Sequence, residues 1–200
     1  MPIYEQVSAM VFPVFQVGGS VRDKVMGRVP KDYDFATPLL PDDIEGAVRA
    51  AGRHAYTVGK RFGTIGCKVD GHYVEITTFR SENYTAGSRK PTVEFVSDLR
   101  EDLSRRDFTV NAMAWGENGL YDPFGGRLDI LAQTLKCVGI PKSRFKEDPL
   151  RILRAVRLAS QLGFGIDQLT YSKMKKMAPS LLTISKERWV MELDALLLTD

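Results

Sequence analysis

Lys31-Asp32-Tyr33-Asp34-Phe35, read with Val17-Gly18-Gly19-Ser20-Val21-Arg22-Asp23 just upstream, decides how the first half of this 200-residue chain folds. Side chains alternate along an extended strand, so Asp32 and Asp34 share one face while Tyr33 and Phe35 turn to the core. Two hard oxygen ligands converging on one spot suit Mg²⁺, which keeps several waters and completes its shell with substrate phosphates. Gly18 and Gly19 follow the apolar run Met10 to Val17, where the absence of side chains lets a phosphate approach the backbone, and Arg22 lies in the helical turn beyond. Taken alone, the glycines read as a strand-to-helix turn and the aspartates as a solvated pair. Taken together, they point to metal-assisted phosphoryl transfer.

Composition sets the limits around that reading. The length allows one domain or two small ones, and 44% apolar with 26% charged residues is ordinary for a chain with a real core. Twenty-eight Lys and Arg against 25 Asp and Glu leave a net charge of +3, which permits contact with a polyanion without demanding it. Cys67 and Cys137 are isolated, and His54 and His72 are the two histidines, so neither a zinc site nor a disulfide framework is indicated; buried free thiols are expected. The N-terminus lacks a basic segment followed by an apolar core, and no apolar run approaches the roughly 20 residues that span a bilayer. No membrane partner and a cytoplasmic location are the expectations.

The first two thirds of the chain are mixed in pattern and the last third helical. Phe12 to Val17 is strand-like, Val21 to Met26 a short helix, and Pro41 to Ala51 a second helix opened by Pro41-Asp42-Asp43. Gly63 to Val69 and His72 to Phe79, rich in β-branched residues, flank Asp70-Gly71 and predict a hairpin. Ser81 to Pro91 has the composition of a mobile loop before a strand at Val93 to Val96. Strand signals end after Asp122-Pro123-Phe124-Gly125-Gly126, and helical spacing runs from Pro149 onward. A domain boundary is placed near 137, giving domains 1–137 and 138–200.

Three further groups carry chemistry. Glu75, in Tyr73-Val74-Glu75-Ile76, alternates with apolar neighbours and is either an exposed strand residue or a third carboxylate beside the aspartate strand, touching metal or polarising an attacking hydroxyl. Arg105-Arg106-Asp107-Phe108-Thr109 sets two guanidiniums against an aspartate before an expected apolar helix. The arginine fork holds phosphate bidentately and Asp107 accepts from a hydroxyl or fixes an arginine, or else Asp107 or Thr109 caps the helix. In Glu147-Asp148-Pro149-Leu150-Arg151, Asp148 reads as an N-cap with proline in the first turn, and Leu150, Leu153 and Val156 as a buried stripe. That stripe leaves Arg151, Arg154 and Arg157 in a slanting row headed by Asp148. An acceptor beside a fork of donors matches the Watson–Crick edge of a base.

In order along the chain, Gly18-Gly19 with Arg22, Asp32-x-Asp34, Glu75-Ile76-Thr77-Thr78-Phe79, Arg105-Arg106-Asp107-Phe108-Thr109-x-Asn111-Ala112, Asp122 to Gly126, Glu147-Asp148-x-x-Arg151 and Ile184-Ser185-x-Glu187-Arg188-x-x-x-Glu192-Leu193 resemble the motifs of the class II tRNA nucleotidyltransferases and bacterial poly(A) polymerases, within the polymerase-β-like superfamily. The resemblance implies an α+β fold: a polymerase-β-like head of mixed sheet flanked by helices, followed by an all-helical neck. It implies two Mg²⁺ ions on Asp32 and Asp34, with Glu75 catalytic. Gly18, Gly19 and Arg22 would contact the triphosphate, and Arg106 and Asp107 would lie by the incoming sugar and phosphates. Asp148 and Arg151 would pair with the base of CTP or ATP, and Arg154 and Arg157 would grip phosphates. The segment 81–91 would be the loop linked to the change from C to A addition, and the helix after Ser185 a brace for the neck.

The implied partners are the tRNA 3′ end, CTP and ATP. Poly(A) synthesis, partial CC or A addition, and a non-catalytic nucleotide- or RNA-binding remnant are the alternatives. Val58-Gly59-Lys60-Arg61-Phe62 is somewhat like a poly(A) polymerase signature, while Gly63-Thr64-Ile65 looks more like CCA enzymes. Family members continue into helical body and tail domains, whereas this sequence ends at Asp200, so a fragment and a compact enzyme that grips RNA differently are both open. Weak tRNA binding is one expectation. A homodimer through the terminal helix Lys186 to Leu198 is another, unless its apolar face closes the neck's own core.

Overall fold

The computed structural model describes residues 1–83 and 92–198. The segment 84–91, most of the expected loop, lies outside the described residues. By their contacts the residues divide into two compact units, Met1–Arg105 with Asn111–Pro123, and Arg106–Val110 with Phe124–Asp200. The break at Pro123 falls earlier than the boundary placed near 137, because the short helix after Gly125 and the strand after it pack with later residues.

The first unit is built on a six-stranded sheet in the order β3-β4-β2-β1-β7-β8. Its strands are β1 (Phe15–Val17), β2 (Tyr33–Thr37), β3 (Thr64–Val69), β4 (His72–Thr78), β7 (Ala114–Gly116) and β8 (Gly119–Tyr121). Strands β2 and β4 are parallel and all other neighbours antiparallel, so the sheet is mixed as expected. A separate two-stranded ribbon, β5 (Arg80–Asn83) with β6 (Thr92–Phe95), brackets 84–91. Asp70 at φ 54° and Gly71 at φ 81° supply the two positive φ values of a type I′ turn between β3 and β4, as the Asp-Gly pair predicts.

Helices α1 (Ile3–Met10), α2 (Gly19–Val25), α3 (Pro41–Ala50) and α4 (Leu99–Ser104) complete this unit. Pro41 at the first helical position and Asp42 and Asp43 in the first turn suit the start of α3, and Ile44 and Val48, one turn apart, are fully buried. They join Val7, Val11, Phe35, Ile65, Cys67, Val74 and Ile76 in one apolar cluster, so one face of the sheet is covered. Two expectations need correction here. Strand β1 starts at Phe15, not Phe12, since Pro13 brings no N–H to a ladder. The apolar segment after Asn111 forms β7 rather than a helix, because it completes the free side of β1 through Gln16↔Trp115 and Val17↔Ala114.

The second unit holds α5 (Gly126–Leu131), α6 (Pro141–Glu147), α7 (Leu150–Leu162), α8 (Gln168–Met177) and α9 (Lys186–Leu197). It is not wholly helical: β9 (Thr134–Leu135) and β10 (Gly165–Ile166) pair in parallel. Helix α7 buries Leu150, Ile152, Ala155, Leu158 and Leu162, whereas Val156 is 41% exposed. The stripe therefore departs from the expected Leu150-Leu153-Val156 line. Gly163, at φ 69°, ends the helix in the left-handed conformation. No helix of the described residues is long and apolar enough to cross a membrane.

Cys67 and Cys137 are free and buried, as expected. Burial pushes the Cys67 thiol up and the Cys137 thiol up to about 12. Near pH 8 the Cys137 thiol is thiolate to roughly one part in ten thousand, the raised Cys67 thiol is also held protonated, and thiolate is the nucleophile. We expect the native protein to resist iodoacetamide at both positions, with full labelling only in denaturant; mass spectrometry of the two peptides reads the outcome.

Candidate nucleotidyl-transfer site

In the first unit the sheet register assembles the carboxylates. Asp34 on β2 is paired on one side with Val17, the residue before the glycine pair, and on the other with Glu75 of β4. Residues paired across strands face the same way, so Glu75 stands beside Asp34 as the sequence suggested. Asp34 and Glu75 are exposed, on the face opposite the buried Phe35, Val74 and Ile76; Asp32, also exposed, lies in a bend one residue before β2 and not on the strand as expected. Burial, and then the charges of Asp34 and Asp32, hold the Glu75 carboxyl above its ordinary value. Such accumulated negative charge on an open face fits a divalent cation. Among the described residues no group of three or more His, Cys, Asp and Glu could hold a metal unaided, so water and phosphate oxygens would complete the shell.

The glycine pair lies next to these carboxylates. Gly18 caps α2 at φ 73°, ψ −143°, a conformation open to glycine and strained for any side chain. Gly19 has room for a Cβ, whose nearest neighbour would be the Arg22 guanidinium at 3.5 Å. Ser20 Oγ donates to Val17 O at 2.9 Å and ties the turn to β1. Arg22 is held on two sides: Nε and Nη2 donate to Asp23 Oδ1 at 3.0 and 2.8 Å, and Nη1 donates to Asn111 Oδ1 at 2.9 Å. Asp23 and Asn111 thus orient the arginine expected to meet phosphate. Sequence reading passed over both, although they stand inside quoted motifs. Of the arginine pair at 105–106, Arg105 is structural: Nε and Nη2 donate to the buried Asp102 at 3.0 and 2.8 Å.

In the second unit Asp148 caps α7, its Oδ1 accepting from Leu150 N–H at 3.1 Å. The same carboxylate receives Arg188 of α9 through two contacts, at 2.8 and 3.3 Å. Arg151, 8% exposed, donates from Nη1 to Glu147 Oε2 at 2.6 Å and to Arg144 O at 3.2 Å. Arg154 donates to Asp107 Oδ2 from Nε at 3.0 Å and Nη2 at 2.6 Å, and Asp107 Oδ1 accepts from Phe108 N–H. Glu192 of α9 receives Arg154 at 3.4 Å and Arg157 at 2.6 Å, and Arg157 also donates to Gln161. The predicted row exists, but Asp107 and Glu192 neutralise its lower two arginines, so a phosphate there would compete with carboxylates. Arg106 is half-buried in this unit. Glu147, Arg188 and Glu192 were missed as partners; the spacing of four between Glu147 and Arg151 was the available signal.

A mixed sheet with one aspartate on β2 and another just before it, a third carboxylate in register and a glycine turn alongside defines a nucleotidyltransferase head of the polymerase-β kind. Residues 14–136 match the family described as the Poly A polymerase head domain, and the chain belongs to that family; residues 163–200 match one described as the probable RNA and SrmB-binding site of polymerase A. A CCA-adding enzyme from Staphylococcus aureus is 44% identical over 198 residues, covering 98% of this chain and 48% of the relative. The chain thus spans about half the length of the curated relatives it matches. The crystal structure of the Bacillus stearothermophilus CCA-adding enzyme in complex with CTP superposes with a TM-score of 0.85 at 41% identity, over 98% of this chain and 47% of that one. A tRNA nucleotidyltransferase complexed with a primer tRNA and an incoming ATP analog gives 0.78 at 29% identity, over 96% and 55%.

Proposed function

We propose that this chain forms the head and neck of a cytoplasmic CCA-adding tRNA nucleotidyltransferase, with head and neck dividing near residue 137. The observation that carries the reading is the register of Asp34 between Val17-Gly18-Gly19 and Glu75, supported by the family match and by relatives named for CCA addition. The 3′-hydroxyl oxygen of tRNA bonds to the α-phosphorus of CTP or ATP, the bond to the β-phosphate oxygen breaks, and pyrophosphate leaves. Asp32 and Asp34 would hold two Mg²⁺ ions, which when bound supply charge stabilisation to the attacking and leaving oxygens.

The chain's own residues do the rest. Gly18 bares the backbone for the triphosphate, and Arg22, steadied by Asp23 and Asn111, meets its charge. Glu75, in register beside Asp34, accepts a hydrogen bond from the 3′-hydroxyl and is placed to receive its proton. Asp148 and Arg151 read the base edge, with Arg188 and Glu147 as their orienting partners. Arg106 and Asp107 serve the sugar and phosphates, and Arg154 and Arg157 stiffen the row through Glu192 more than they grip phosphate. Helix α9, which leaves Met191 and Leu197 exposed, is the candidate surface for a homodimer unless its apolar face closes the neck's own core; light scattering would distinguish the two.

Incubation with tRNAs lacking A, CA or CCA, with Mg²⁺ and each NTP separately, read on a sequencing gel, tests the whole reading. Stepwise C, C, A addition supports it. Untemplated A runs on any RNA indicate a poly(A) polymerase, truncated products a CC- or A-only enzyme, and no product a binding module.

A site built to hydrogen-bond one substrate rejects others by leaving its own polar groups unpaired. Asp148→Asn retains the cap to Leu150 N–H but changes the base-facing acceptor, so we expect UTP and GTP misincorporation to rise at least about tenfold while the unfolding midpoint stays close to wild type. Unchanged NTP preference would leave Asp148 only its capping role.

A further inference from the structure

The open face of the first unit's sheet carries more than carboxylates. Across β3 and β4, Gly66 pairs with Glu75 and Lys68 with Tyr73. Tyr56 adds to the outer edge by bridging Gly66, donating to Gly66 O at 2.8 Å and accepting from Gly66 N–H at 2.9 Å. Paired residues share a face, so Tyr56, Gly66, Glu75 and Asp34 form one row across the sheet. Tyr73 stands on the same face two residues before Glu75, about 7 Å along the strand. Its ring lies across Gly66 so closely that a Cβ there would overlap the phenol oxygen.

The aromatic line continues outward. Tyr73 and Tyr56 have centroids 5.7 Å apart, and His54 meets Tyr56 edge-on at 4.6 Å. Tyr73 is 49% exposed and His54 is exposed. Two cations flank the line: Lys68 is exposed, and Arg53 donates from Nη1 to Lys68 O at 2.7 Å. A tyrosine laid over a strand glycine covers bare backbone, which accounts for Tyr73. It does not account for two more rings in line with it and two cations alongside, leading away from the carboxylates.

We propose that Tyr73, Tyr56 and His54, flanked by Arg53 and Lys68, form the stacking platform for the unpaired 3′-terminal nucleotides of the RNA primer, bringing its 3′-hydroxyl to Glu75. This deepens the proposed function and rests on it for the location of the reacting centre. Stacking on aromatic rings tolerates any base because every base has a π-face. That tolerance suits a primer that ends in the tRNA's own base at the first addition and in C at the next two. The cations offset the repulsion that Asp32, Asp34 and Glu75 exert on a polyanion.

The test is fluorescence anisotropy of a 5′-labelled RNA hairpin with three unpaired 3′ nucleotides, and of the same hairpin blunt-ended, without NTP. It is run on the wild type, Tyr73→Ala, Tyr73→Leu, Tyr73→Trp and Tyr56→Ala, beside addition kinetics with CTP. Tyr73→Ala should weaken binding of the overhang RNA and raise its KM by roughly tenfold, leave KM for CTP and binding of the blunt hairpin unchanged, and be rescued by Tyr73→Trp. Tyr56→Ala should give a smaller loss of the same kind. Tyr73→Leu keeps apolar cover over Gly66 without a ring, so wild-type RNA binding by this variant, or no preference of the wild type for the overhang, overturns the proposal. Tyr73-dependent RNA binding by a wild type that adds no nucleotide would sink the catalytic reading while leaving this one standing.

Discussion

Nucleotide addition should fall by at least about a thousandfold in Asp34→Ala, with the unfolding midpoint within a degree or two of wild type. A carboxylate that holds a catalytic cation supplies transition-state stabilisation of several kcal/mol, and each 1.36 kcal/mol is about tenfold in rate. The fold should hardly notice, because Asp34 is exposed while its strand neighbours Phe35, Ala36 and Thr37 are buried. Removing the charge beside Glu75 also relieves a repulsion, since Asp34 is one of the groups that hold the Glu75 carboxyl up. The variant is therefore expected to be no less stable than the wild type, and single-turnover kinetics alongside thermal unfolding read both halves. Substantial residual addition would remove Asp34 from the metal site.

Asp107→Ala should lower stability sharply. The Asp107 carboxylate is 8% exposed as a residue, caps Phe108 N–H and receives two contacts from Arg154. Asp107, more than any other group, holds the Arg154 guanidinium above its usual value. Breaking a buried pair by deleting one partner costs about 3–5 kcal/mol; with 34% of the Arg154 side chain still exposed, about 2–3 kcal/mol is expected. A raised pKa on a cation stabilises fully below its unfolded value, and for arginine that covers every ordinary pH, so Arg154 brings no pH dependence near neutrality. Urea unfolding at neutral pH measures the loss. The double variant Asp107→Ala/Arg154→Met, which removes the charge left with only the longer Glu192 contact and keeps the packing, should recover much of it; a double variant as weak as the single one would show that the pair is not the cause.

Strand alternation set Asp34 and Glu75 on the side opposite Phe35 and Ile76, Asp70-Gly71 announced a hairpin, and Pro41-Asp42-Asp43 opened a helix, all from neighbours in sequence; the alternation did not reach Asp32, which bends away before β2 begins. Those features are local, so residue type and period carry them. Helix α1 escaped notice because Pro2 gives it no side-chain cap and its buried face is short. Strand β7 was misjudged because its state depends on an empty place beside β1, which no local pattern contains.

The candidate site divides in the same way. The motifs named the candidate residues, but which arginine faces solvent and which faces a carboxylate was not legible in them. Arg22 ends against Asn111, Arg154 against Asp107 and Arg188 against Asp148, partners 89, 47 and 40 positions distant. The sequence by itself determined the β3–β4 hairpin, the start of α3 and the glycine turn, because strand and turn preferences act over a few residues. The tertiary structure alone decided the register that sets Glu75 beside Asp34 and the ion pairs that fix the arginine row, because charges pair across whatever distance in sequence the fold closes.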